Sequence, residues 1–415
     1  MGRVLALVAA TVGVLSCASN KAADDEPTRI MGKFTKLEQL PASVRAAIPA
    51  QLAREFPNEP TLHSIEAYDG NLTATFHSQE PPGIYCYRKD GKVSGCELNF
   101  IIAKKYAKQL EPSCLIGDDV RPGFGNLLGW PGADAVLVQP PSVRVEAMGH
   151  GIAMHAVIDY VEIDRVSREP YLLSWKFSLL FQGGYYVACV ESQAGYKQTY
   201  AKYVDELFRN VVVNKTAATM QLGYAVRQDW QNLGLNVTRV LPSTDPDNAK
   251  GSLEAEMELL VQAHDGQLLI EESANLNSRS AEGELLKQGS IHADNRGAHA
   301  VLSLKASGSE ARFVTSFSES SEQESKIELV SPLRTLLGLR SELQKLKAGS
   351  ATTAAFSRIE FDNGLAVPVP YVATRDAQGV ITVTGSHRSE LLTVDDTGRV
   401  TARTSGTRSW TLLAE

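Results

Sequence analysis

Several stretches of this chain alternate apolar and polar residues with a period of two. The clearest runs Leu253, Ala255, Met257, Leu259 and Val261, interleaved with Glu254, Glu256 and Glu258. Successive side chains of a strand point to opposite faces, so this segment predicts a strand with one apolar and one wet face. His264-Asp265-Gly266-Gln267 then turns the chain into Leu268–Ile270. Similar patterning predicts strands at 284–293, 298–306, 311–317 and 326–330, and later at 355–361, 365–373 and 380–384. Asn363-Gly364 and Asp396-Thr397-Gly398 supply turns among these last segments.

The first half mixes both periods. Val44, Ile48, Leu52 and Phe56 recur at helical spacing, while Pro49 predicts a division into two short helices. Two hairpins follow, one about Asp69-Gly70 and one over 86–96 about Asp90-Gly91. Strands are expected at 135–139, 143–148, 152–163, 171–181 and 185–191. Tyr200, Tyr203, Val204, Leu207, Phe208 and Val211 then mark one buried stripe of a helix. A second helix is expected from Ser331-Pro332 to Gly349, with Ser331 as cap, Pro332 at the first helical position and leucines at 333, 336, 337, 339, 343 and 346.

These elements predict an α+β fold of two β-rich domains, each a mainly antiparallel sheet packed by one or a few helices. The expected boundaries are 34–214 and 215–415, with 350–415 as a possible small subunit. No fixed-period repeat is evident.

The amino terminus carries different information. Arg3 precedes the apolar run Val4–Leu15, which is followed by Ser16-Cys17 and polar residues. A span of the bilayer needs about 18 or more apolar residues, so this order reads as a secretory signal over 1–16. Val14-Leu15-Ser16-Cys17 resembles the lipobox of bacterial lipoproteins. The resemblance covers only the first twenty residues; it implies cleavage before Cys17, acylation of that cysteine and anchoring in the envelope. The rival reading is an ordinary cleaved signal with an incidental cysteine. By the same resemblance, Ala18 after the cysteine implies an outer-membrane destination facing the periplasm. Residues 17–33 lack any apolar period and read as a tether, able to reach roughly 50 Å at ~3.3 Å per residue.

Export changes how the remaining cysteines read, because thiols oxidise outside the cytoplasm. Cys86, Cys96, Cys114 and Cys189 are an even set, and four cysteines allow three pairings. Cys86 with Cys96 is favoured, leaving Cys114 with Cys189. A two-residue hairpin loop would pair Lys89 with Lys92 and put the first two cysteines on opposite faces. A three-residue loop leaves them on one face but diagonal, so a bulge at Gly95 is needed to bring them together.

Composition narrows the partners without naming one. The 415 residues carry a net charge of −7, which disfavours nucleic acid, since that demands a basic surface. No CxxC spacing occurs, and His150 and His155, five apart on a strand, face opposite ways; neither a metal nor another cofactor is expected. Asp245 and Asp247 lack the Gly and the oxygen ligand that a calcium loop requires. No G-x-S-x-G pentad is present. The Gly-rich stretch from Arg121 to Gly132 does not match a phosphate loop, but Phe124 and Trp130 within it are candidate ligand-binding aromatics. The functional expectation is a membrane-anchored envelope lipoprotein with a non-catalytic role, binding a protein partner or a small apolar ligand. The alternatives are an inhibitor or immunity-type lipoprotein, or a periplasmic hydrolase whose residues are dispersed in sequence.

Overall fold

The computed structural model describes residues 36–55, the strand backbones at 62–68, 71–76, 84–89, 92–99 and 113–117, and 130–415 apart from short stretches, of which 211–218 is the longest. The signal, Cys17 and the tether lie outside the described residues, as do Phe124, His150 and the expected boundary at 214.

The first half builds strands β1 (Leu62–Tyr68), β2 (Asn71–Phe76), β3 (Ile84–Lys89), β4 (Lys92–Asn99) and β5 (Ser113–Gly117). It continues with β6 (Val136–Leu137), β7 (Ser142–Met148), β8 (Gly151–Ile163), β9 (Pro170–Gln182) and β10 (Tyr185–Gln193). β1 and β2 pair alone, and the rest form an eight-stranded sheet in the order β3-β4-β5-β10-β9-β8-β6, with β7 also on β8. Every pairing is antiparallel. β8 and β9 are buried on both faces. On one face of β8, Ile152, Met154, Ala156 and Ile158 enter an apolar core that also draws on the large sheet. On the other, His155 lies against Phe208 of the helix α2 (Lys197–Asn210), and Val161 packs with Ile48 of α1 (Ala42–Leu52).

α1 is one helix with Pro49 inside it, not two short ones. Its apolar stripe is seated against Val136, Val161 and Leu172, and that packing outweighs the missing proline donor. Tyr200, Val204, Leu207 and Phe208 of α2 are buried as the stripe requires.

The second half contributes β11 (Met220–Gln228), β12 (Gln231–Pro242), β13 (Ser252–His264), β14 (Gln267–Arg279), β15 (Leu285–Asp294), β16 (His299–Ser307), β17 (Glu310–Phe317) and β18 (Gln323–Glu328). After α3 (Arg340–Ala348) come β19 (Thr353–Asp362), β20 (Leu365–Arg375), β21 (Ile381–Thr384), β22 (Ser389–Val394), β23 (Val400–Ser405) and β24 (Arg408–Ala414). All are antiparallel neighbours in one fourteen-stranded sheet, which runs from β18 back to β11, crosses to β24 and continues to β19. Residues 350–415 therefore extend the large sheet and do not form a sheet of their own.

The expected helix from 331 to 349 forms only at its end. Ser331–Arg334 is extended, because its main chain is claimed by two strands. Pro332 O and Arg334 N bond Ser357 of β19, and Leu333 O accepts from Leu285 of β15 at 2.8 Å. Leu333 enters an apolar cluster with Leu285, Leu302 and Phe313. The helix then carries Leu343 and Leu346 into a separate core with Phe356, Tyr371 and Val383.

The two sheets share one core. Ile152, Phe177 and Phe181 of the small sheet pack with Leu235, Val237, Met257, Leu259 and Ile270 of the large one. The approach is close enough that a Cβ on Gly223 of β11 would meet Ile152 Cγ2 at 2.7 Å. Ile152→Ala should therefore destabilise both halves together, by about 2–5 kcal/mol. Urea unfolding followed by near-ultraviolet and far-ultraviolet signals should give one shifted transition; two separate transitions would mean the halves unfold independently.

Candidate functional site

The polar face of β13 turns inward, not toward bulk water. Glu254 is 3% exposed, and Glu254, Glu256 and Glu258 line a cavity of about 670 Å³ on the face of the large sheet opposite the shared core. Register places amides beside them: Asn236 of β12 opposite Glu258, and Asn275 and Asn277 of β14 opposite Glu256 and Glu254. Asn236 donates to Glu256 at 2.8 Å and to Glu258 at 3.2 Å, and Asn275 donates to Glu256 at 3.2 Å. Trp410 Nε1 of β24 donates to Glu258 at 2.7 Å.

The facing wall comes from β19 to β24 and is basic. Arg358 pairs with Glu390 at 2.8 Å and stacks over the rings of Phe356 and Tyr371. Arg403 lies 3.7 Å above the Trp410 ring, and Arg388, Arg399 and Arg408 complete the wall. The segment between β18 and α3 closes the gap between the sheet's two arms. Thr335 donates to Glu254 at 2.8 Å, while Arg334 reaches Glu282 O and Gly338 O. Gly338 sits so near the turn at Gly283 that an added Cβ would meet its carbonyl at 2.4 Å. At the next loop, Arg340 donates to Thr397 Oγ1 at 2.8 Å.

Burial dominates the electrostatics of the acidic wall. It pushes the Glu254 carboxyl up to about 7, against the lowering effect of Arg279, and it raises Glu258 despite the Trp410 hydrogen bond. Glu390 goes the other way. Burial works against its charge, but Arg358 and Arg403 outweigh it and hold the carboxyl below its ordinary value. The cavity thus has one wall whose Glu254 and Glu258 carboxyls are pushed toward neutrality and another whose Glu390 carboxylate is kept charged by the arginines beside it. Its lining has the donors and acceptors to fix a polar guest.

A second cluster lies under α2. His155 Nδ1 is 2.8 Å from Ser178 Oγ, while Nε2 faces Asp205 at 3.4 Å and Glu146 at 3.7 Å. The residue types are those of a serine triad, yet Ser178 is 0% exposed, so no substrate can reach it. Glu146, His155 and Asp205 also have metal-ligand character. Arg144 already occupies that position, with one nitrogen 2.7 Å from Asp205 and 3.3 Å from Glu146. The cluster is an ion-pair network that holds α2 on the sheet.

The residues singled out from sequence fall in several places. Trp130 packs against the shared core and does not line the cavity; Phe124 is outside the described residues. Cys86 faces Cys96 directly and Cys114 faces Cys189 directly. The hairpin does pair Lys89 with Lys92, but a register shift between Tyr87 and Arg88 sets Tyr87 opposite Gly95 and so brings the cysteines into line.

No family model matches this chain, and no curated protein matches it. Among solved structures, it is similar to a β-barrel-like protein of a domain of unknown function, DUF1849, from Brucella abortus, at 10% identity and a TM-score of 0.35. The match covers 47% of this chain and 95% of that one.

The buried histidine yields a pH prediction. Burial, with Arg144 beside it, lowers the His155 pKa from 6.5 to about 4, against the raising effect of Asp205. Between those values the unfolded chain binds a proton that the native state refuses, so stability is intact above about 6.5 and falls as pH drops toward 4. His155→Gln should remove this dependence. Urea midpoints measured from pH 7 to 4.5 should fall less steeply than in the parent, by up to about 1.4 kcal/mol per pH unit; an unchanged slope would mean His155 is charged in the native state.

Proposed function

We propose that this chain is a lipid-anchored cell-envelope protein, carried on acylated Cys17 at the outer membrane and facing the periplasm, that holds a small polar molecule in the cavity of its large sheet. The observation carrying the binding role is the cavity itself. Its volume of about 670 Å³ falls in the range of small-molecule sites, on the order of 300–1,000 Å³. Three atoms of its lining, Asn277 Oδ1, Arg358 Nη2 and Arg403 Nε, are buried without a hydrogen-bond partner among the described residues. Each unsatisfied buried polar atom costs about 1–3 kcal/mol, so the protein's own groups leave the lining incompletely matched.

This chemistry favours a polar guest over an apolar one. It also supports holding over turnover, since Glu256 and Glu258 each accept two donors from the protein itself. Anchoring rests on the lipobox-like residues, and envelope residence on the facing cysteine pairs, whose registers suit Cys86–Cys96 and Cys114–Cys189 bridges. A protein partner in the envelope remains part of the proposal through the anchor, which would present the cavity near the membrane.

Cys17→Ser should abolish labelling by a palmitate analogue and move the protein from the membrane to the soluble fraction. Peptide mapping without reductant should recover both bridges. Native mass spectrometry of the detergent-extracted protein should show a co-extracted small molecule that is lost in Asn236→Trp, which fills the cavity. Unaltered membrane residence of Cys17→Ser would overturn the anchor, absence of any co-extracted mass would overturn the binding role, and enzymatic conversion of a bound compound would overturn its non-catalytic character.

A further inference from the structure

Charge is unevenly resolved inside the cavity. Among the described residues, five glutamates and seven arginines line it, and no lysine does. Arg334, Arg358 and Arg399 have carboxylate partners, and Arg340 is committed to Thr397. Arg388, Arg403 and Arg408 make no ion pair among the described residues. All three come from the end of β21 through β24, so the arginines that act on Glu258 and Glu390 only from beyond ion-pair distance are concentrated on one wall. Arg388 is exposed, while Arg403 is half-buried, with its Nε enclosed and unbonded. Guanidinium groups keep their charge when desolvated and present forked donors to carboxylate or phosphate oxygens.

The opposite wall has another chemistry. Asn236, Asn275 and Asn277, with Gln228 and Gln288 further along, alternate with the β13 carboxyls. Amides and carboxyls so arranged both donate and accept at short spacing, as the hydroxyls of a polyol require. Asn277, 2% exposed, keeps an Oδ1 with no hydrogen-bond partner among the described residues, so this wall has acceptor capacity the protein does not use. A simple inorganic anion would satisfy the arginines and leave this wall unused; an apolar anion would leave its polar atoms stranded.

We propose that the guest is a sugar bearing an anionic group, a sugar acid or sugar phosphate, with the anion on Arg403, Arg408 and Arg388 and the hydroxyls on the asparagine and glutamate wall. The assignment rests on the cavity-binding reading above and specifies its ligand class.

The test uses the full-length protein in detergent micelles, titrated calorimetrically with digalacturonate, its neutral dimethyl ester, glucose 6-phosphate and inorganic phosphate. At least one of the two anionic sugars should bind ten-fold or more tightly than both the ester and inorganic phosphate. Arg403→Gln should weaken that sugar at least ten-fold and leave the ester unchanged. Arg388→Gln, at an exposed position where folding is not at stake, should weaken it at least three-fold with an unaltered melting temperature. Tighter binding of digalacturonate would mark a carboxylate guest, and tighter binding of glucose 6-phosphate a phosphorylated one; either supports the class. Equal affinity for acid and ester, or for inorganic phosphate and the sugars, would overturn it. If no probe binds but native mass spectrometry still finds a co-extracted molecule, the sugar assignment alone falls. If neither is seen, the cavity-binding reading falls with it.

Discussion

The structure turns on the two faces of β13. Alternation forces Ala255, Met257, Leu259 and Val261 to one side of the strand and Glu254, Glu256 and Glu258 to the other. The apolar side seals the large sheet onto β8 and β9. That seal obliges the glutamates to point into the opposite concavity, where the other arm of the same sheet meets them. A one-residue slip would exchange the two sets, place carboxylates in the shared core and open the cavity floor to apolar side chains. Packing and site chemistry are therefore set by a single register.

The cavity departs from an ordinary core in how its polar groups are matched. Most are satisfied across strands, by amides on carboxyls and by guanidiniums on aromatic faces, so the lining is largely preorganised. The cost of that arrangement shows in the upward displacement of Glu254 and Glu258, whose charges are not fully compensated by their donors. By contrast the buried Lys176 reaches Ser174 O, Gly195 O and the Glu191 carboxylate. It is a structural ion pair that leaves nothing to offer a ligand.

Much of this was legible in the chain, and the failures have physical causes. Strand periodicity located β8, β9, β13 and most of the large sheet, and the stripe of α2 was read residue for residue where described. β11 and β12 escaped notice because Gly223, Gly234 and Asn236 interrupt the apolar run that marks a strand, each for a local reason. The leucines after Ser331 suggested a helix, since spacing cannot reveal that β15 and β19 would claim that backbone. Above all, alternation at Glu254–Glu258 declares a polar face but not what lies opposite. The arginines that face it are scattered over fifty residues, on a different arm of the sheet, and no local pattern links them to it.

Most strands in the large sheet pair with the neighbour that precedes or follows them, a local process with a small entropic cost. The pairing of β11 with β24 is different: Val226 meets Trp410 across nearly the whole second half of the chain. Trp410 is also the donor to Glu258 and the ring beneath Arg403. Closing that pairing costs more chain entropy than any hairpin in the sheet, and the pocket depends on it, because Glu258 and Arg403 both rest on Trp410.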